Sequence, residues 1–531
     1  MKAFKGRVAI DLMNVFDKAE GGRVISTLAW GDEVRVLGTS KGRLKISLRT
    51  LATGGASAVI KDQVGFVKPP SKSSGIKLTD IVTPKSQKPG VLKFDTVDVQ
   101  QGDGAVLETA NGTVVLIDGG DNQLFARYLA ARFRGTSSKN RKVIDCIVVT
   151  HGDADHFSGL TQIHDSETHT GAAGTSESHK KLFIKPMRVY HNGLVKRPSK
   201  INKKSVAEKD MLGKTVLSGG RRFIVDLKDD LRNVSPSVMN APFAKWRNAL
   251  RAWSGGKKSS IVMKRLSRRI DGGGNKGGAD PFDFLAAEGI KVEVLGPLEH
   301  RVNGKPALPF LGNPNPKADR QPGKPQVSFS GLSASHAING HSVVLRITYG
   351  NCRFLLTGDL NEESETFLTK QHQEGHLDLT AEVFKVPHHG SADFSVPFLR
   401  AVAPAVSMIS SGDESEQKEF IHPRATLVGA LSKQGRATLE EPLILITELA
   451  AFFKVEGWVK NDQSKLTHKT QRSTRKEEFF AFSRKSFGII KIRTDGNRML
   501  VYTFSGKDDM KEAYAFKLQG ERVIPEPVRK C

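Results

Sequence analysis

The chain has 531 residues, is 38% hydrophobic and carries a formal net charge of +25 at pH 7, which is more than one ordinary domain and enough for a sizeable core. The longest apolar runs, such as Pro442 to Phe453, are too short and too charged for a membrane span, and Met1 to Arg7 lack the apolar stretch of a secretory signal. Three widely spaced cysteines, Cys146, Cys352 and Cys531, form neither a zinc knuckle nor a disulfide framework, so the expected setting is a reducing cytoplasm without membrane insertion. The positive surplus favours a polyanionic partner, nucleic acid first, that gains affinity by releasing counterions.

Residues 1–70 read as a small all-β unit. Runs such as Val8 to Ile10, Asp32 to Leu37 and Leu44 to Leu48 are separated by Gly-containing turns. Pro69 to Gly75 opens a linker over 71–90. From there to about 525 a second domain is expected. It begins with a strand at Leu92 to Val99 and a hairpin, Ala105 to Thr109 and Thr113 to Ile117, around Asn111-Gly112. The second hairpin strand ends at Asp118-Gly119-Gly120, and a helix is predicted over Gln123 to Arg132.

The mostly apolar run Val143 to Val149 then ends directly in Thr150-His151-Gly152-Asp153-Ala154-Asp155-His156. Two imidazoles and two carboxylates within six residues are ligands of the kind that hold zinc, manganese or iron. A strand that delivers all four at its end can place them around two ions about 3.5–4 Å apart.

A basic insertion follows at about 195–285, with the glycine-rich turn Asp271 to Gly274. Between Ala241 and Ile270 it carries Lys245, Arg247, Arg251, Lys257, Lys258, Lys264, Arg265, Arg268 and Arg269 and no acidic residue. These cations are the predicted nucleic-acid contacts. Trp246 and Trp253 are interleaved with them. They either stack on bases or form the inward face of an amphipathic helix.

Further strands deliver polar ends. Val189-Tyr190 leads to His191; Val343 to Ile347 pairs by pattern with Arg353 to Thr357, which leads to Gly358-Asp359; Val383 to Val386 leads to Pro387-His388-His389-Gly390-Ser391; and His422-Pro423 follows a loop. Each of these is weak alone, and their order together is specific.

Two resemblances arise from these residues. Leu12 to Val15 and Gly65-Phe66-Val67, with Phe where the family has Trp, are similar to a bacterial SH3-like barrel. Asp98 to Ala105, Leu116 to Gly120, Thr150 to His156, Leu295 to Pro297, Ser342 to Ile347, Leu355 to Asp359 and Lys385 to Ser391 resemble a metallo-β-lactamase-fold hydrolase. The similarity is to the hydrolase domain of ComEC-type DNA-uptake proteins and their soluble relatives. Leu445 to Leu449, Gly488 to Thr494 and Arg498 to Thr503 would complete that domain. The implied architecture is an α/β fold, an αββα sandwich with a long basic insertion behind a small all-β module.

The resemblance also implies roles. His151, Asp153 and His191 would bind a first divalent ion, Asp155, His156 and His388 or His389 a second, and Asp359 would bridge them; His388, which follows the strand end more directly, is preferred. Asp155 would orient an attacking hydroxide, His422 would serve the substrate side, and Asp118 would fix ligand orientation. Asp153 stands where the wider family has a second histidine, which moves the preference from Zn2+ toward Mn2+. The expected activity is a phosphodiesterase or nuclease on DNA. The alternatives are a hydrolase of a cyclic nucleotide, phosphate ester or lactone, and a non-catalytic binding protein. The SH3-like module would recruit a protein or peptide.

Overall fold

A computed structural model describes residues 3–54, 57–70, 75–84, 90–169, 180–201, 203–255, 260–270, 280–314, 329–412, 422–447, 457–460, 478–481, 488–504 and 512–531. Lys257, Lys258, Asp271 to Gly274, Ser71 to Ser74, Glu448 and Leu449 lie outside these residues.

Two sheets stacked face to face form the main body. The larger has ten strands in the order Val262–Arg265, Arg188–His191, Cys146–Val148, Val114–Asp118, Gly104–Glu108, Leu92–Thr96, Ile489–Thr494, Arg498–Phe504, Ala513–Gln519 and Arg522–Glu526. The second has six, in the order Ile290–Gly296, Val344–Tyr349, Cys352–Leu356, Val383–Lys385, Val406–Ile409 and Leu443–Ile446. The predicted hairpin forms in register, Ile117 opposite Ala105, with Gly112 at φ +91° in its turn. The predicted strand from Val143 to Val149 is split at Asp145. The Asp145 carboxylate accepts the Val114 N–H at 2.9 Å, so Lys142–Ile144 leaves the main sheet to pair with Ile184–Pro186.

The inner faces of the two sheets make one apolar core. Leu92, Phe94, Leu107, Ile117 and Val148 from the first meet Leu345, Phe354, Val383 and Met408 from the second. The Phe94 and Phe354 rings lie 5.3 Å apart across the interface. Fully burying one such side chain stabilises the fold by about 1.5–3 kcal/mol.

Helices cover both outer faces. On the first sheet lie α1 (Leu124–Arg132), α2 (Ala154–Ser166) and α3 (Ala241–Trp253). α2 turns His156, Phe157, Leu160 and Ile163 inward, the spacing of one helical face. α3 starts where Asn240 Oδ1 accepts the Phe243 N–H at 3.0 Å, with Pro242 in its first turn. A short α4 (Ala334–Gly340) precedes the strand Val344–Tyr349 of the second sheet. α5 (Glu362–Gln373), α6 (Val396–Val402) and α7 (Ala425–Lys433) cover that sheet's outer face. The body is therefore an αββα sandwich.

The N-terminal region is all β, a seven-stranded sheet in the order Val24–Ala29, Leu12–Phe16, Ser57–Val67, Arg43–Gly54, Glu33–Ser40, Phe4–Val8 and Val82–Pro84. Its last strand falls inside the expected linker, because Val82 to Pro84 pair with Val8 to Gly6. The C-terminal tail also joins it, with the Cys531 N–H donating to the Leu12 carbonyl. Arg498 Nη2 donates to buried Asp11 at 2.8 Å and ties this sheet to the larger body. No helix among the described residues is long and apolar enough to cross a membrane.

Candidate metal centre

The polar residues predicted at strand ends converge at the carboxyl ends of parallel strands, where open α/β sheets place their ligands. Val114–Asp118, Cys146–Val148 and Arg188–His191 run parallel in one sheet, and Cys352–Leu356, Val383–Lys385 and Val406–Ile409 in the other.

Four side chains meet there. One ligand atom each from Asp155, His156, Asp359 and His389 lies within 4.8 Å of the other three. His156 Nε2 is 3.2 Å from Asp359 Oδ1, and His389 Nε2 is 3.2 Å from Asp359 Oδ2 and 3.4 Å from Asp155 Oδ2. His156, Asp359 and His389 are buried, yet His156 Nε2, His389 Nε2 and Asp359 Oδ1 have no hydrogen-bond partner. Buried polar atoms without partners are costly, and this close group could hold a cation.

The opposite edges of both rings set their tautomers. His156 Nδ1 donates to Asp118 Oδ2 at 2.8 Å, and His389 Nδ1 donates to the Ser410 carbonyl at 3.1 Å. Each ring therefore turns the Nε2 lone pair toward the centre. Asp118 also accepts the Thr150 N–H at 2.7 Å and the Thr150 hydroxyl at 2.6 Å, which locks the loop that carries the motif. Burial raises the Asp118 carboxyl against the pull of His156.

Burial works against charge on His156, but Asp359, Asp118 and Asp155 outweigh it and hold the ring well above the usual imidazole range. His389 rises in the same way, against burial, through Asp359 and Asp103. Burial pushes Asp155 and Asp359 up, and the two imidazoles hold both carboxyls well below their usual range. A pocket that draws protons onto its imidazoles this strongly lacks positive charge. A divalent ion at the unpartnered atoms would supply it.

His389 belongs to the group and His388, the residue preferred from sequence, does not. Both histidines have left-handed backbones, at φ +48° and +53°. Their rings consequently lie at 75° to each other, 6.1 Å apart. His389 faces His156, while His388 faces His422 with 5.9 Å between ring centres. His422 is pushed down to about 4 by burial, with His388 and His389 adding to the effect, so its ring is neutral at pH 7.

The predicted first ligand set does not assemble. His151 Nε2 stands 3.9 Å from Asp359 Oδ2, and burial together with His156 holds its pKa well below the usual range. Asp153 Oδ1 instead pairs with Lys196 Nζ at 2.6 Å. His191 is turned away. Its Nε2 contacts the Asp229 carbonyl at 3.3 Å, and its Nδ1 accepts the Gly193 N–H at 3.0 Å.

Asp103 and Lys385 were missed as site residues. Lys385 Nζ pairs with Asp103 Oδ2, and Asp103 Oδ1 lies 3.4 Å from His389 Nδ1. Asp103, Asp118 and His156 also form a second group of close ligand atoms. Gly102-Asp103-Gly104 repeats the glycine-aspartate signal of Gly358-Asp359 just before a strand, which is the cue that could have found it. Gly102 has φ +102°, and a Cβ there would sit 1.9 Å from the Asp155 carbonyl oxygen, so only glycine fits.

Comparison with known proteins agrees with this geometry. Residues 97–219 match the sequence profile of the Metallo-beta-lactamase superfamily. The match and the αββα sandwich together give the chain a metallo-beta-lactamase fold. The matched stretch contains the Thr150 to His156 run and His191, while Asp359 and His389 lie beyond it on the second sheet. The chain is also 33% identical over 106 residues to "Competence protein ComA" of Neisseria gonorrhoeae, covering 20% of this chain and 14% of that protein. The domain and its histidine-aspartate cluster support a metal-dependent hydrolase.

In the basic insertion the structure decides between the two readings left open for the tryptophans. Trp246 is fully buried, 6.4 Å from the Phe157 ring, and half-buried Trp253 donates its indole N–H to Glu167 at 3.0 Å. The tryptophans are therefore the inward face of α3 and are not offered to bases. Arg265 is spent on Glu299 and Asp229, at 2.6 and 3.2 Å, and Arg268 donates to the His376 carbonyl. Lys245 and Arg251 are exposed on the outer side of α3, Arg269 is exposed, and Arg247 and Lys264 are half-buried.

Proposed function

We propose that this protein is a metal-dependent phosphodiesterase acting on nucleic acid, DNA in first place. The observation that carries the reading is the convergence of Asp155, His156, Asp359 and His389, with unpartnered atoms aimed at one point. When bound there, a divalent ion, Mn2+ or Zn2+, would acidify water and neutralise phosphoryl charge. His156 and His389 would offer lone pairs fixed by Asp118 and Ser410. Asp155, which accepts from Gln101 Nε2 at 3.4 Å and stays ionised, would orient the attacking water and take its proton. His422 would face the substrate as a neutral hydrogen-bonding group.

The choice of a phosphodiester polymer is supported by the net charge of +25, by the exposed cations of α3 and by the motif resemblance to DNA-uptake hydrolases. We also assign the N-terminal sheet to an SH3-like module that recruits a protein or peptide. Two buried, free cysteines, Cys146 and Cys352, support a reducing cytoplasm.

The test is an assay on single- and double-stranded DNA, RNA and cyclic dinucleotides with manganese and zinc titrated in turn. Metal-dependent cleavage of polymer that weakens steeply with salt is the expected result. Turnover of a small ester with no salt dependence would move the substrate to that class. Binding without turnover under both metals would end the catalytic reading.

A further inference from the structure

The two halves of the Thr150 to His156 motif have different partners. Asp155 and His156 join the four-residue group, while Asp153 ends at a lysine. Lys196 Nζ sits 2.6 Å from Asp153 Oδ1, on the carboxylate expected to bind a first ion. The backbone fixes Lys196 there, because its carbonyl accepts the Asn240 N–H at 3.0 Å and Asn240 caps α3. Neither side chain is fully exposed, with Lys196 at 22% and Asp153 at 20%.

The expected third ligand has no electron pair to give. His191 Nδ1 accepts the Gly193 N–H, which leaves Nε2 as the protonated nitrogen, donating to the Asp229 carbonyl. Of the first set, only His151 still faces Asp359, at 3.9 Å.

We propose that Lys196 takes the place of the first metal ion, so that the centre works with one divalent ion and one ammonium. The ion belongs at Asp155, His156, Asp359 and His389, and the ammonium at Asp153. This rests on the metal-centre reading above. An ammonium is a compact charge with three donors. One donor is spent on Asp153, which leaves two for an oxygen of an anionic substrate. Lysine serves elsewhere as such a clamp on a phosphoryl group. A phosphate ester is therefore the substrate class such a centre suits, since it presents oxygens to both cations at once.

Counting ions tests this apart from activity. Wild type, Lys196→Ala and Lys196→His are saturated with Mn2+, desalted and measured by native mass spectrometry, with thermal melts to confirm folding. One ion per chain in wild type and two in both variants is expected, because Asp153 and His151 become available beside Asp359. Two ions in wild type would overturn the proposal, as would one ion in both folded variants. No ion in wild type would instead overturn the metal-centre reading itself, so the two failures are distinguishable.

Discussion

Two buried groups of charge in this molecule start from the same kind of carboxylate and end differently. Asp95 is fully buried, and both its oxygens are met by cations of the chain. Arg493 Nη1 donates to Oδ1 at 2.7 Å, while Tyr128 at 2.6 Å, Lys491 at 3.0 Å and Arg132 meet Oδ2. Burial pushes Asp95 up, but Lys491, Arg493 and Arg132 prevail and hold it well below the usual range. Asp359 is nearly as buried, yet meets the His156 and His389 imidazoles and the Asp155 carboxylate and leaves Oδ1 without a hydrogen bond. A carboxylate closed by arginine and lysine holds the fold together, whereas one set among imidazoles and a second carboxylate is suited to hold an ion.

Asp359→Asn should break the second group with the largest effect. Metal content should fall to zero and turnover by about 10³-fold or more, since the ion supplies several kcal/mol of charge stabilisation. The melting temperature of the metal-free protein should change little, and calorimetry beside metal analysis checks both. A large loss of stability would place Asp359 with Asp95 as a structural carboxylate.

Asp95→Ala should do the reverse. It strands Arg132, Lys491 and Arg493 in the interior, and removing one partner of a buried ion cluster costs about 3–5 kcal/mol. Chemical denaturation should show that loss, while metal content per folded chain stays at the wild-type value.

A gentler probe is Glu108, which pairs with Arg132 at 2.8 Å and Lys93 at 3.4 Å. Burial raises its carboxyl, but Lys93 and Arg132 outweigh burial and bring it down to about 2 from the usual 4.5. A depressed folded pKa contributes stability that is complete above about pH 4.5 and disappears as pH falls through about 2. Glu108→Gln should therefore cost about 2 kcal/mol at pH 7, discounted for partial exposure. It should also flatten the acid limb of the stability curve between those two values.

The smallest expected effect concerns the surface. Replacing Lys245 and Arg251 by Gln should leave stability and metal content unchanged and lower the slope of log affinity for duplex DNA against log salt by about 2. An unchanged slope would take α3 out of the nucleic-acid interface.

Much of the fold was legible because its signals are local. Asn111-Gly112 between two alternating runs specifies a hairpin whatever surrounds it, and each apolar run ending in a polar residue places that residue at a strand end. The split at Asp145 was not legible, since it depends on the Val114 N–H, 31 positions away in sequence.

For the site, the sequence alone determined the chemistry: which residues carry imidazole or carboxylate, and that strand ends present them together. Only tertiary structure decided which of them meet. Two left-handed residues in a row swing His389 inward and His388 toward His422, and a tripeptide motif does not encode that rotation. Lys196 reaches Asp153 because its backbone is tied to the start of α3, and Asp103 joins the centre through Lys385 on the opposite sheet. A motif lists donors, but the free energy of a buried charge depends on every group within a few ångströms, most of them distant in sequence.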